Sequence, residues 1–230
     1  GNFPIIWHIM KIYSSYGIND FVICCGYKGN IIKEYFHNYL LASSDVTFDF
    51  VSNSHKIHTH KAEPWNISLV DTGEKTMTGG RLKAVWDYIK DEEDFCFTYG
   101  DGVANVDISA LINFHKSHGK LATLTAARPS GRFGALDIDE NNCVMSFNEK
   151  KDGEGIWING GFFILKPQVI SRIEDDQTSW ELEPLSGLAQ DDELVAYKHE
   201  GFWQPMDTLH EKNLLNELWE KGEAPWKNWD

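Results

Sequence analysis

Apolar positions along the chain alternate between helical and strand spacing. Pro4 to Tyr16 carries apolar residues at helical intervals, with Pro near its first turn and Gly17 just past its end, so it predicts a helix. Phe21 to Cys25 is a short continuous apolar run, the pattern of a buried parallel strand. Ile31 to Leu41 returns to helical spacing through Ile31, Ile32, Tyr35, Phe36 and Tyr39. Val46 to Val51 and Trp65 to Val70 alternate and predict half-buried strands.

The same alternation continues to the end. Gly80 to Ile89, Ile108 to His118 and Thr208 to Lys221 predict helices, and so do shorter patterns at Pro167 to Ile173 and Pro184 to Ala189. Phe95 to Tyr99, Leu121 to Ala127, Asn159 to Leu165 and Leu194 to Lys198 predict strands. Gly134 to Phe147 reads as two strands joined by a turn at Asp139-Glu140-Asn141-Asn142. Strands alternating with helices imply an α/β fold with a mostly parallel sheet covered on both faces. No Pro/Gly/Ser-rich linker divides residues 1–230, and no internal repeat is present, so a single domain is expected. Doubly wound nucleotide-binding folds open with a strand and a Gly-rich loop; this sequence opens with a helical pattern.

Charge narrows the function. With 21 basic against 35 acidic side chains and a net charge of -14, the surface does not suit nucleic acid, whose recognition needs clustered Lys and Arg. A small phosphorylated substrate remains compatible, because a few placed cations or a carboxylate-held metal suffice. No apolar stretch reaches the length of a membrane span, and the first residues have neither a basic run nor a small-residue cleavage pattern, so no membrane partner or signal peptide is expected. Cys24, Cys25, Cys96 and Cys143 lack C-x-x-C spacing and read as reduced thiols of a cytoplasmic protein.

Several motifs have the residue types for chemistry. Tyr99-Gly100-Asp101-Gly102-Val103 ends an apolar strand, where ligands of open α/β sheets bind. Asp101 there is either a Mg²⁺ ligand or one residue of a turn. Asp207, just before the last helix, is either a second carboxylate for the same ion or a helix cap; Thr208 and Glu211 fit a capping box. Thr76-Met77-Thr78-Gly79-Gly80-Arg81 enters a helix. Its amides could face an anion and Arg81 a phosphate or base carbonyl, or Thr78 could be an N-cap.

Lys150 could pair with a sugar phosphate or be solvated. Asn159 sits beside Gly160 and Gly161 at a strand start, and Glu181 and Glu183 flank Leu182 after Trp180, as would suit sugar hydroxyls or a charged turn. His55, His58 and His60 form a histidine-rich run without Cys, Asp or Glu inside it. It reads as a solvated loop, with zinc as the alternative.

Taken in order, the motifs resemble the sugar-1-phosphate nucleotidyltransferase superfamily, and within it the glucose-1-phosphate cytidylyltransferases. The resemblance rests on Pro4-Ile5-Ile6-Trp7-His8-Ile9-Met10-Lys11, Cys24-Cys25-Gly26-Tyr27-Lys28-Gly29, Glu63-Pro64-Trp65-Asn66, Met77-Thr78-Gly79-Gly80-Arg81-Leu82, Thr98-Tyr99-Gly100-Asp101-Gly102-Val103, Gly131-Arg132-Phe133-Gly134-Ala135-Leu136-Asp137, Ile158-Asn159-Gly160-Gly161-Phe162-Phe163 and Gly201-Phe202-Trp203-Gln204-Pro205-Met206-Asp207-Thr208. The Gly-Asp-Gly element is shared widely; Phe202-Trp203-Gln204-Pro205-Met206-Asp207 is far more specific.

The resemblance implies a Rossmann-like nucleotidyltransferase fold and the reaction of CTP with α-D-glucose 1-phosphate to give CDP-glucose and pyrophosphate. It implies Mg²⁺ held by Asp101 and Asp207, with Lys150 catalytic as well. Thr76, Gly80, Arg81 and Gly100 would meet the nucleotide, and Gly134, Glu149, Lys150, Asn159 and Glu181 the sugar phosphate. It further implies a homo-oligomer, a hexamer in the cytidylyl branch, and a place in dideoxysugar and O-antigen supply. Uridylyl or thymidylyl transfer, or a catalytically impaired sugar-nucleotide-binding homologue, are the alternatives. Two departures stand out. Glu149-Lys150-Lys151 replaces Glu-Lys-Pro, and the Gly-rich signature loop with its Arg and Lys, expected before Gly1 with the first strand, is not in this sequence.

Overall fold

The computed structural model describes residues 1–59, 61–128, 135–138, 144–148 and 157–229. Its first half runs α1 (Ile5–Ser14), β1 (Asp20–Cys25), α2 (Gly29–Ala42), β2 (Val46–Asp49), β3 (Ser54–Ile57), β4 (Asn66–Asp71), α3 (Thr78–Ala84), α4 (Trp86–Ile89), β5 (Phe95–Thr98), β6 (Gly102–Ala104) and α5 (Ile108–His118). It continues with β7 (Ala122–Ala127), β8 (Ala135–Ile138), β9 (Val144–Asn148), β10 (Ile158–Leu165), a 3₁₀ helix (Pro167–Arg172), α6 (Glu183–Gln190), β11 (Leu194–His199), β12 (Trp203–Pro205) and α7 (Leu209–Glu220). These elements gather into two compact units. One comprises Gly1–Ile18, Glu92–Val169 and Gly187–Asp230; the other Asn19–Asp91 and Ile170–Ser186.

The larger unit is built on a four-stranded sheet ordered β11-β7-β10-β5. β11 lies parallel to β7, while β10 is antiparallel to both of its neighbours, β7 and β5. The sheet is therefore mixed, with three strands running one way and the reversed strand in its interior. Phe162, Phe163, Ile164 and Leu165 of β10 are all buried, as expected of a strand covered on both faces. Helix α5 supplies Ile108 and Leu111 to this core. It starts where the Asp107 carboxylate accepts the Ala110 N–H at 2.9 Å and stops at Gly119 in the left-handed region. The two strands expected between Gly134 and Phe147 are β8 and β9, paired antiparallel.

A polar chain crosses the same core. Lys120 N–H donates to His118 Nδ1, so His118 Nε2–H donates to Thr123 Oγ1 at 2.8 Å. Thr123 then donates to His115 Nδ1 at 2.8 Å, and His115 Nε2–H donates to Asp94 at 3.1 Å. Each link fixes the next tautomer, and the direction holds only while both imidazoles are neutral. Burial is the largest cause that lowers the pKa of each, in line with that state.

In the smaller unit β1 and β4 pair in parallel from Asp20↔Asn66 to Cys25↔Asp71. The single helix expected over Gly80 to Ile89 is two, broken at Val85 (φ -99°, ψ 16°). Leu82, Val85 and Ile89 are all buried, so apolar spacing runs through the break and hides it. The strand expected to Val51 stops at Asp49, whose carboxylate accepts from Val51 N and Ser52 N and bends the chain back. The histidine-rich segment read as a loop is in part strand: Ser54–Ile57 pairs antiparallel with β2. Ser54, His55 and Lys56 are exposed and only Ile57 is partly covered, so this strand has no apolar alternation to read. The short ladder β6–β12 is also invisible to periodicity, being three residues on each side.

The thiols of Cys24, Cys25 and Cys96 are free, and burial pushes Cys24 up to about 11 and Cys96 to about 12. Cys143 lies outside the described residues. No helix among them is long and apolar enough to cross a membrane.

Candidate active site

β5 delivers the chain to Tyr99-Gly100-Asp101, and β6 carries it away paired with β12 at Gly102↔Pro205, Val103↔Gln204 and Ala104↔Trp203. One further bond, Met206 N–H to Asp101 O at 2.7 Å, extends that pairing to Asp101 and leaves Asp207 one residue beyond it. Two aspartates far apart in sequence are thus brought beside each other by a ladder. Gly102 and Pro205 line a cleft with Thr98, Tyr99 and Asp101, whereas Val103 and Met206 face the aromatic cluster of His8, Trp219 and Trp226.

The electrostatics of this pair are unbalanced. Burial, and next the charge of Asp207, hold the Asp101 carboxyl above the usual carboxylate range. Among the described residues no Lys, Arg or His forms an ion pair with either carboxylate. Two carboxylates near enough to repel, with no cationic partner among the described residues, suit a hard divalent ion, which needs oxygen ligands and brings water for the remaining positions. No cluster of three or more His, Cys, Asp or Glu placed to hold a metal occurs among the described residues. An ion here would complete its shell from water and substrate oxygens.

The capping reading of Asp207 is decided by the next residue. Thr208 is the N-cap of α7, with its hydroxyl accepting from Glu211 N, and the Glu211 carboxylate closes the capping box. Asp207 lies outside the helix, so its side chain is not the cap. Thr78 is likewise not an N-cap: the cap position of α3 is Met77, without a side-chain bond.

Asn159 joins Asp101 in the cleft. Its Oδ1 accepts Gly161 N–H at 2.9 Å, which orients the amide so that Nδ2 donates to Tyr99 Oη at 3.1 Å. A bulge between Asn159 and Phe163 makes this local turn, with Gly161 at φ +77°. A Cβ on Gly161 would stand 2.7 Å from the Tyr99 ring, so glycine is required twice over, by conformation and by contact. Trp203 Nε1–H donates to Gly160 O at 2.7 Å and braces the other wall.

In the smaller unit the expected nucleotide-side residues are held by the chain itself. The Arg81 guanidinium donates to Thr72 Oγ1 at 2.8 Å, Gly73 O at 2.9 Å and Glu74 O at 3.3 Å, clamping the loop beyond β4. Gly80 N donates to Thr178 O at 3.2 Å, and a Cβ on Gly80 would meet the Asp176 backbone at 2.6 Å. That glycine is therefore explained by backbone packing. Thr78 Oγ1 donates to Glu181 at 2.6 Å and accepts from Trp180 N at 2.9 Å, fixing Glu181 to the start of α3. Thr76 packs there too, its hydroxyl oxygen 2.6 Å from a Cβ built on Gly73.

Gly100 sits next to Asp101 with open space where a Cβ would stand. Gly134, Glu149, Lys150 and His60 lie outside the described residues. His55 and His58 turn to different partners, the Phe48 ring and Thr47 Oγ1. Sequence reasoning does not single out Tyr99, Trp203, Gln204 or Glu211 as site residues. The first three stand inside the motifs that carry the family resemblance, and Glu211 is visible as the last residue of the capping box.

Comparison with known proteins identifies the family and the fold. The Nucleotidyl transferase family matches residues 1–208. The chain is 62% identical over 230 residues to the glucose-1-phosphate cytidylyltransferase of Salmonella typhi, covering 100% of this chain and 89% of that protein. It is 44% identical over 232 residues to the probable glucose-1-phosphate cytidylyltransferase of Bacillus subtilis, again covering 100% and 89%. Among solved structures, HddC from Yersinia pseudotuberculosis superposes with a TM-score of 0.63 at 19% identity, covering 95% of this chain and 91% of that one. UDP-glucose pyrophosphorylase complexed with UDP-glucose gives 0.64 at 13% identity, covering 95% and 87%. These two likenesses are of fold.

Proposed function

The chain belongs to the nucleotidyl transferase family, and from that premise we propose that it transfers a cytidylyl group from CTP to α-D-glucose 1-phosphate, giving CDP-glucose and pyrophosphate. The observation that carries the proposal is Asp207 standing one residue beyond Met206, whose N–H donates to Asp101 O at the end of the β6–β12 ladder, close enough for its charge to raise the Asp101 pKa. The 62% identity to a glucose-1-phosphate cytidylyltransferase supports the choice of base and sugar.

A sugar-phosphate oxygen attacks the α-phosphorus of CTP. A new P–O bond forms as the bond to the β-phosphate oxygen breaks, and pyrophosphate leaves with that electron pair. Both reactants are anions, so catalysis is chiefly positioning and charge neutralisation. The attacking oxygen is already ionised, and no general base is required. Asp101 and Asp207 would hold Mg²⁺, which when bound supplies charge neutralisation at the phosphates. Asn159 and Tyr99 shape the cleft that Asp101 lines. Arg81 sets the loop at Thr72 to Glu74 that would meet the nucleotide. Lys150, Glu149 and Gly134 complete the proposal on the sugar-phosphate side. Family resemblance adds a homo-oligomer, a cytoplasmic location and supply of dideoxysugars for O-antigen.

Pyrophosphate release measured with CTP, UTP, dTTP and GTP against glucose 1-phosphate tests the assignment. CTP should lead by at least about 10²-fold in kcat/KM, the discrimination available to a site that hydrogen-bonds a base edge. Equal rates with all four nucleotides would remove the cytidylyl assignment. Turnover should vanish with a chelator and return with Mg²⁺; full turnover after chelation would remove the metal.

A further inference from the structure

Glu211 is a carboxylate with 2% exposure in the first turn of α7. A capping box needs it to reach one amide, that of Thr208. Here it does more. Its Oε2 accepts from Asp207 N at 2.9 Å, Thr208 N at 2.8 Å and Thr208 Oγ1 at 3.0 Å. Its Oε1 faces Gln204 Nε2 at 3.4 Å, and that amide also donates to Pro205 O at 3.1 Å. One buried carboxylate therefore gathers residues on both sides of Asp207. Gln204 and Pro205 belong to the ladder strand, Met206 is bonded to Asp101 O, and Thr208 caps the helix. The backbone that presents Asp207 is fixed from the β12 side by the ladder and from the α7 side by Glu211.

We infer that Glu211 is a positioning residue for the Asp207 carboxylate, setting how tightly the Asp101–Asp207 pair holds a divalent cation. The inference rests on the reading of that pair as the metal site. Helix capping alone does not require the bond to Asp207 N or the contact with Gln204, and those are the bonds that bear on the site. Groups that orient metal ligands in this way typically change metal affinity by about 10–100-fold when lost.

The test uses Mn²⁺ titrated into the purified protein, with free Mn²⁺ followed by its EPR signal, alongside the Mg²⁺ concentration giving half-maximal turnover. Glu211→Ala should weaken Mn²⁺ binding by about 30-fold and raise the Mg²⁺ requirement in step, with turnover largely recovered at saturating metal. Glu211→Gln keeps the side-chain shape but turns an NH₂ toward the Gln204 NH₂, and should weaken binding by about 10-fold. It also covers the case in which the alanine variant fails to fold. Thr208→Ala breaks the capping box and leaves the bond from Asp207 N to Glu211, so it should lower the thermal midpoint while Mn²⁺ affinity stays within about twofold. Asp207→Asn separates the two levels of the argument. If it binds Mn²⁺ as the unaltered protein does, the metal-site reading fails. If it loses Mn²⁺ while both Glu211 variants retain full affinity, or if Thr208→Ala weakens Mn²⁺ as much as they do, the positioning role of Glu211 is overturned and capping suffices.

Discussion

The two units treat their polar residues in opposite ways. In the larger unit, the acidic pair Asp101 and Asp207 is left without a cationic partner among the described residues, while the groups behind it, Glu211 and Asn159, are bonded to the backbone that carries the site. In the smaller unit the eye-catching residues are turned inward on their own chain: Arg81 on a loop, Thr78 on Glu181, Gly80 against Asp176. Unbalanced charge held by satisfied supports marks a place where a ligand completes the electrostatics. Polar groups already satisfied mark a place where the chain fixes a shape for a ligand to fit.

The sharpest test of that contrast is to remove the unbalanced charge. Asp101→Asn should lower kcat/KM by at least about 10²-fold, since metal-borne charge neutralisation is worth several kcal/mol, and it should raise thermal stability because a like-charged, buried carboxylate is gone. Steady-state kinetics and a melting curve on the same sample read both. A variant that is slower and also less stable would place Asp101 among structural residues instead. Next in size is the cost of a buried histidine. Burial holds His8 down near 4, from an ordinary 6.5. The unfolded chain thus binds a proton that the folded one refuses, and stability falls as pH drops from about 6.5 towards 4, by about 3 kcal/mol if the full shift is realised. His115 and His118 act in the same direction. Chemical denaturation at stepped pH should show the loss, and His8→Asn should flatten part of it.

The glycines give the third test. Gly80→Ala forces a methyl against the Asp176 backbone, and Gly161→Ala forces one against the Tyr99 ring at a positive φ, each costing about 1–3 kcal/mol. The contrast between units predicts different companions to that loss. Gly161→Ala should also lower turnover through Tyr99, whereas Gly80→Ala should act on stability with nucleotide affinity changed less than about threefold once folded. A Gly80→Ala protein of normal melting temperature and poor nucleotide affinity would return that glycine to the ligand. Smallest is Arg81→Lys: a single ammonium cannot reproduce the fork onto Thr72, Gly73 and Glu74, and KM for the nucleotide should rise by about 10-fold with kcat little altered.

Much of this is legible in residue order. Apolar spacing identifies α5 over Ile108 to His118 and puts β1, β7, β10 and β11 close to their observed positions, because burying one face or two dictates a period that survives in the chain. Chemical types at particular points, Asp101 between glycines and Thr208 three residues before Glu211, are likewise readable as local signatures. What folding alone decides is which distant pieces meet. β6 and β12 are too short to carry a period, yet their pairing puts Asp101 beside Asp207. The helix break at Val85 and the antiparallel course of β10 inside the sheet also have no local sign, since side-chain spacing is blind to chain direction and to partner. The role of Glu211 lies between the two: its capping bond is local, and its grip on the Asp207 backbone exists only because a three-residue ladder delivers that backbone to the same place.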